Sequence, residues 1–194
     1  MQIDRVLYPV TTLGPGKRIG IWTIGCPHKC YNCSNPELWE TNNNKEVEIE
    51  NLMLYVSQYA SVADGVTITG GDPFFQPDEL YHLLKKLRHC GFKDILVYTG
   101  YKISDLSKKY NNILNLIDVV IDGPYIDFQN NNIGLKGSVN QGIYILNAQL
   151  SEKYKDISIQ KRKRQNFVSN GKIISVGIPT RIKSKDKEGV YGEK

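Results

Sequence analysis

The sequence predicts an α/β protein built around a parallel sheet. Short runs rich in β-branched residues alternate with amphipathic segments between residues 19 and 121. Strands and helices that alternate in this way typically form a parallel sheet with right-handed crossovers. Each predicted strand also ends in cysteines or in a short polar or glycine-containing turn. With 194 residues, of which 40% are hydrophobic and 23% charged, the chain has the size and composition of a globular domain.

The predicted strands are short apolar runs. The first leads directly into a cysteine cluster, and the second ends at Gly70 and Gly71. Because the carboxyl ends of parallel strands meet at one sheet edge, the residues that follow them are expected to lie close together. The predicted strands cover residues 19–24, 66–69, 94–98 and 119–121.

Three segments carry apolar residues at helical spacing and are predicted to be helices: residues 48–60, the segment after Pro77, and residues 103–116. Pro77 can open the second helix because proline is tolerated at the first helical position, and Gly91 ends it. The third segment is weaker, with Asn111 and Asn112 as a candidate break.

The composition changes near residue 151. Residues 151–194 contain 12 of the 25 Lys and Arg residues but only 5 of the 20 Asp and Glu residues. We therefore predict two parts, a main domain over residues 1–150 and a basic C-terminal extension over residues 151–194. Residues 137–146 are predicted to be extended, residues 172–178 to form a strand or half of a hairpin, and residues 181–194 to be frayed.

The charge pattern and the apolar runs restrict the expected partners and location. The run from Lys161 to Arg164 is typical of a solvated face, and without interleaved aromatic residues it does not indicate nucleic-acid binding. No apolar run approaches the roughly 20 residues that cross a bilayer. The N-terminus does not resemble a secretory signal. A cytoplasmic protein without membrane attachment is expected.

Three of the four cysteines lie within eight residues of one another, as Cys26, Cys30 and Cys33. In a cytosolic chain such a cluster indicates metal binding or redox chemistry rather than a disulfide framework. Pro27 disfavours helical geometry at Cys26, so the cluster is predicted to lie in a loop. Three thiolates are one fewer than the four that usually hold a [4Fe–4S] cube. One iron would then stay free to bind a substrate or cofactor.

Zinc is the alternative occupant of this cysteine cluster. A fourth ligand would then come from His28, His82, His89 or Cys90. Structural zinc sites usually combine two ligand pairs, and the triplet has no matching pair elsewhere in the chain. The spacing favours iron–sulfur and leaves zinc open.

The turns after the later strands add polar and glycine residues to the same predicted edge. Gly70 and Gly71 would let a ligand approach the backbone closely, and Asp72 follows them. Thr99 follows the third strand and Asp122 the fourth. Any one of these turns is also consistent with an ordinary loop, but together they outline a binding site.

These motifs resemble the radical S-adenosylmethionine (SAM) superfamily, and within it the activating proteins of anaerobic (class III) ribonucleotide reductase. The resemblance covers roughly residues 5–146. The residues that carry it are Tyr8-Pro9, Gly14-Pro15-Gly16-Lys17-Arg18, the segment 25–33 with Cys-x3-Cys-x2-Cys, Trp39, the segment 69–73 with Gly-Gly-Asp-Pro, Tyr98-Thr99-Gly100-Tyr101, the segment 120–123 and Gly137-Ser138-Val139-Asn140-Gln141.

The resemblance implies a partial (β/α) barrel that is open on one side, with a [4Fe–4S] cluster on the three cysteines of the triplet. The free iron would chelate the amino and carboxylate groups of SAM. In addition, the resemblance implies SAM contacts for two sets of residues. Gly70, Gly71 and Asp72 would face the amino group, and Asn32 and Ser34 would lie against the nucleoside. Thr99 and Asp122 are further candidates for cofactor contact, Asp122 at the ribose or the substrate.

The chemistry that the resemblance implies needs no catalytic side chain beyond the cluster and SAM. An electron from a flavodoxin-like donor would split SAM, and the resulting 5′-deoxyadenosyl radical would take a hydrogen atom from a glycine of the reductase. Two departures from the family stand out: Asn32 precedes the third cysteine where many members have an aromatic residue, and the chain continues past residue 150.

Two alternative functions stay open at this point. One keeps the radical chemistry but directs it to another glycyl radical enzyme, a peptide or a small molecule. The other is a non-catalytic metal-binding interaction module.

Overall fold

The computed structural model describes residues 1–132, 134–157, 159–169 and 171–180. Within them, six strands form one sheet in the order β1-β2-β3-β4-β5-β6. Strands β2 to β5 are parallel, whereas β1 and β6 pair antiparallel with their neighbours. The mostly parallel sheet confirms the predicted class. The strands are β1 (Ile3–Val10), β2 (Arg18–Thr23), β3 (Gly65–Gly70), β4 (Ile95–Tyr98), β5 (Val119–Asp122) and β6 (Gly142–Ile145).

The helices differ in length from the predicted ones. The first ends at Val56 and continues as a single 3-10 turn, and the weak third segment is two helices separated at Tyr110. Pro77 opens the second helix as predicted. The helices are α1 (Ile49–Val56), α2 (Pro77–His89), α3 (Ile103–Lys109), α4 (Asn111–Leu114) and α5 (Ser151–Tyr154).

Helices α1 to α4 cover one face of the sheet and bury the main hydrophobic core. Side chains that alternate along the strands, such as Ile21, Ile68 and Val97, are fully buried against this layer. The apolar side of α2 packs against these strand residues through Leu83 and Leu87. The apolar residues at helical spacing after Pro77 therefore form the buried side of α2.

The opposite face of the sheet is covered by residues from the predicted extension. Strands β7 (Gln165–Ser169) and β8 (Lys172–Val176) form an antiparallel hairpin. This agrees with the prediction that residues 172–178 form a strand or half of a hairpin. Val176 is 2% exposed and packs with Trp22 and Leu38. Tyr154 and Ile157 pack against β4 and β5. The described part of the extension is thus packed on the sheet, and the predicted frayed residues 181–194 lie outside the described residues.

A buried ion pair joins the starts of β2 and β4. The Arg18 guanidinium is fully buried and donates to both carboxylate oxygens of Asp94, at 3.0 and 2.9 Å. Tyr154 donates to the same carboxylate at 2.7 Å, and Lys153 lies 2.6 Å from it. Burial alone would raise the pKa of Asp94, but the hydrogen bonds and charges, Arg18 foremost, outweigh burial and lower this pKa.

Among the residues that the structure describes, no helix has both the length and the apolar character needed to cross a membrane.

Candidate functional site

The cysteine loop leaves the end of β2 and is held by backbone hydrogen bonds. Gly25 N donates to Leu38 O and Cys26 N to Trp39 O, both at 2.9 Å. Lys29 and Asn32 have positive φ angles of 43° and 55°, so the chain coils between the cysteines. The result is a compact loop that turns three thiols toward one cavity.

Cys26, Cys30 and Cys33 are free, half-buried thiols that line this cavity together. Burial raises the pKa of both the Cys26 and the Cys30 thiol. Within the described ranges, no three His, Cys, Asp or Glu side chains are grouped so as to hold a single metal ion. That geometry is not required for a cube, because each thiolate binds a different iron.

The cavity has a volume of about 930 Å³, near the upper end of the ~300–1,000 Å³ typical of small-molecule sites. The structure brings most of the predicted site residues to it. Asp122 is not among the lining residues: its carboxylate is buried and accepts hydrogen bonds from Ile103 N at 2.8 Å and Gly142 N at 2.9 Å. The predicted residues that line the cavity are Asn32, Ser34, Gly70, Gly71, Asp72, Thr99 and the three cysteines of the triplet.

Gly70 and Gly71 have no room for a side chain. A Cβ on Gly70, whose φ is +116°, would lie 2.3 Å from Thr23 N. A Cβ on Gly71 would lie 2.4 Å from Gly25 O. The two glycines therefore let β3 pass against the start of the cysteine loop and leave their backbone at the cavity wall.

The Asp72 carboxylate connects the cysteine loop to the ends of β3 and β4. It is fully buried and accepts hydrogen bonds from Phe74 N at 2.9 Å, Gly100 N at 2.8 Å and the Thr99 hydroxyl at 3.0 Å. His28 Nε2 lies 2.9 Å from the same carboxylate. Asp72 thus holds three segments of the cavity wall in fixed positions.

The sequence indicated His28 only as a candidate zinc ligand and did not predict its contact with Asp72. His28 lies between Cys26 and Cys30, and its ring packs edge-on against Tyr101 with the centroids 4.6 Å apart. Its partner Asp72 is 44 residues away, so no local spacing indicates the contact. Only the position of His28 inside the cysteine motif could have pointed to it.

The sequence also did not predict that the extension contributes to the cavity. Arg164 and residues 175–180 line it together with the cysteine loop. Arg5 lines it as well, with its guanidinium over the Trp22 ring at 4.9 Å. One wall of the cavity therefore comes from residues beyond the predicted main domain.

Comparison with known proteins agrees with this site. Residues 12–144 match the family model of the 4Fe–4S single cluster domain. The anaerobic ribonucleoside-triphosphate reductase-activating protein of Salmonella typhi is 32% identical over 148 residues, covering 72% of this chain and 96% of the relative. The protein of that name from Enterobacteria phage T4 is 35% identical over 130 residues, covering 64% of this chain and 81% of the relative.

A more distant relative bears a different name. The pyruvate formate-lyase-activating enzyme of Clostridium pasteurianum is 30% identical over 112 residues, covering 56% of this chain and 45% of the relative. The family model and the Salmonella typhi relative cover most of this chain and therefore decide its family. They confirm the resemblance that the cysteine and glycine motifs indicated. The chain belongs to the family of anaerobic ribonucleoside-triphosphate reductase-activating proteins.

Proposed function

We propose that this protein is a radical SAM enzyme that generates a glycyl radical on an anaerobic ribonucleoside-triphosphate reductase. The observation that carries the proposal is the convergence on one cavity of three free thiols and the two glycines at the end of β3, Gly70 and Gly71. Membership of the family supports the same chemistry. The zinc module is disfavoured, since the family model that matches describes a 4Fe–4S domain.

The residues present fit a [4Fe–4S] cluster. Cys26, Cys30 and Cys33 supply three sulfur ligands from one loop, and none of them is in a disulfide. These thiols would hold three irons and leave the fourth for SAM. When bound, the cluster and SAM supply the electron transfer that breaks the SAM C–S bond and yields a 5′-deoxyadenosyl radical.

The chain's own residues bind and orient the cofactor in this proposal. Asn32 and Ser34 line the cavity beside Cys33, where they would lie against the nucleoside of bound SAM. Because the Asp72 carboxylate already accepts hydrogen bonds from several donors, we assign the contacts with the amino group to the backbone of Gly70 and Gly71. Asp72 and Thr99 keep this wall in place.

The finer features of the fold belong to the same proposal. The sheet would curl as a partial barrel whose open side admits a loop of the partner, with residues 1–150 as the main domain and 151–194 as the basic extension. A flavodoxin-like protein would supply the electron, and the enzyme would act in the cytoplasm.

Metal analysis after anaerobic reconstitution tests the cofactor part of the proposal. We expect about four irons and four sulfides per chain. We also expect 5′-deoxyadenosine to form when dithionite and SAM are added. Zinc without sulfide, and no 5′-deoxyadenosine, would instead support the metal-binding interaction module.

Replacing His28 by alanine tests the link between the cysteine loop and Asp72. The H28A protein is expected to lose iron to a chelator about tenfold faster, because groups that orient metal ligands typically contribute on this scale. The H28Q variant retains a hydrogen-bond donor and should recover part of this difference. The control is H82A, since His82 is exposed on α2. Equal rates of iron loss for H28A and the unaltered protein would contradict the positioning role.

A further inference from the structure

Residues 159–169 and 171–180 of the predicted extension, here called the flap, are attached to the rest of the chain by hydrogen bonds and contribute a wall of the cavity. Gln165 binds the end of β1, accepting from Thr11 N at 3.0 Å and donating to Pro9 O at 2.8 Å. Arg162 binds the loop after β5, donating to Asn130 Oδ1 at 2.7 Å and to Gly137 O at 2.9 Å. The flap is therefore attached near both edges of the sheet.

The family match does not account for the flap. The family model ends at residue 144, so the flap lies beyond the part of the chain that the model describes. Even so, the flap lines the same cavity as the three cysteines through Arg164 and residues 175–180. The flap is therefore one of the walls that a protein segment bringing a glycine into this cavity would meet.

One face of the hairpin carries a stripe of exposed side chains. In an antiparallel pair, directly opposed residues lie on the same face, and Asn166 opposes Ser175 while Val168 opposes Ile173. Val168 and Ile173 are 77% and 71% exposed. Arg164 donates to Ser175 Oγ at 3.1 Å and extends the stripe to the cavity. We call this stripe the docking face; it consists of Arg164, Asn166, Val168, Ile173 and Ser175.

Arg164 is available for a partner's charge, whereas the other charged groups at the cavity are engaged. Arg5 is paired with Asp4 at 2.6 Å, Asp72 is bonded to His28, and Asp127 accepts a hydrogen bond from the Tyr125 hydroxyl at 2.8 Å. The Arg164 guanidinium has no carboxylate partner among the residues that the structure describes. A guanidinium binds a carboxylate more strongly than it binds other groups of a polypeptide.

We propose that the docking face binds an acidic segment of the glycyl radical protein, with a carboxylate on Arg164 and an apolar side chain on Val168 and Ile173. This inference rests on the proposed function and adds to it the surface that recognises the partner. Arg164 lies at the cavity, and Val168 and Ile173 lie farther along the hairpin. A partner segment that fits this face would carry its carboxylate near the cavity and its apolar side chain farther from it. The docking face thereby determines which protein presents its glycine to the site.

The test measures binding of the reconstituted full chain to the anaerobic ribonucleoside-triphosphate reductase of the same organism. The R164Q variant should raise Kd about tenfold, and R164E more, with a difference that shrinks at high salt. The I173T variant should raise Kd about fivefold through lost apolar burial. Partner-free formation of 5′-deoxyadenosine should be the same in I173T, whose altered residue is not among those that line the cavity, and in the unaltered chain.

K172Q is the matched control, because Lys172 is exposed on the same hairpin but lies on its other face. We expect its Kd to stay within twofold of the unaltered chain. An equal loss of binding in K172Q and R164Q would overturn the inference, as would unchanged binding in R164Q and I173T. Loss of partner-free SAM cleavage in I173T would also overturn it, because the substitution would then disturb the site itself and not only the docking face. Failure of the unaltered chain to bind the reductase would overturn that partner and this inference, while SAM cleavage would still support the radical chemistry.

Discussion

The C30A protein is expected to form at least about 100-fold less 5′-deoxyadenosine than the unaltered protein. Two thiolates are too few to hold a cube that already has one ligand fewer than usual, so the iron content should fall in parallel. The measurement is 5′-deoxyadenosine after anaerobic reconstitution, with dithionite and SAM in excess.

The matched control for this experiment is C90A. Cys90 is half-buried at the end of α2 and is not among the residues that line the cavity. Activity and iron content should survive this substitution. If C30A kept its iron and its activity, the three-cysteine site would be wrong. If C90A lost as much metal as C30A, Cys90 would be a ligand, as in the zinc alternative.

The D94N substitution is expected to lower the free energy of unfolding by about 3–5 kcal/mol. Asparagine removes the charge that balances Arg18, whose side chain is fully buried. It also weakens the site to which Tyr154 and Lys153 attach the extension. Denaturant unfolding under anaerobic conditions measures the difference. D105N is the control, because Asp105 is exposed on α3 and its substitution should change stability by less than about 0.5 kcal/mol.

The pH dependence of stability follows from the lowered pKa of Asp94. A carboxyl whose pKa is lower in the folded state stabilises the protein above its unfolded pKa of about 3.9. This contribution is lost as the pH falls through the folded-state pKa. As the pH falls from about 3.9 through the lower folded-state pKa of Asp94, the free energy of unfolding should thus decrease more steeply for the unaltered protein than for D94N. Parallel pH profiles for the two proteins would contradict the role of this ion pair.

The sequence predicts the centre of the fold better than its edges. Strands β2 to β5 are buried on both sides, so they appear as continuous apolar runs that can be recognised without knowing their neighbours. Strand β1 was missed because it lies at the sheet edge and mixes half-buried polar and apolar residues, such as Asp4 and Val6. The four-residue helix α5 depends on the packing of Tyr154 rather than on helical periodicity.

The candidate site divides in the same way. The cysteines and the Gly70-Gly71 turn are recognisable because their chemistry requires a local spacing. The contact of His28 with Asp72 joins residues far apart in sequence, and the position of Arg164 at the cavity depends on how Val176 packs on the sheet. Such contacts are set by tertiary packing, which local patterns do not encode.

Hydrogen transfer from a glycine of the reductase to the 5′ carbon of SAM can be followed directly with an isotope. The reductase is prepared with α-deuterated glycine, and the 5′-deoxyadenosine that forms is analysed by mass spectrometry alongside the electron paramagnetic resonance spectrum of the reductase. We expect one deuterium in the 5′-deoxyadenosine together with a glycyl radical signal. If 5′-deoxyadenosine forms without deuterium, and the reductase shows no radical, this protein does not activate the reductase.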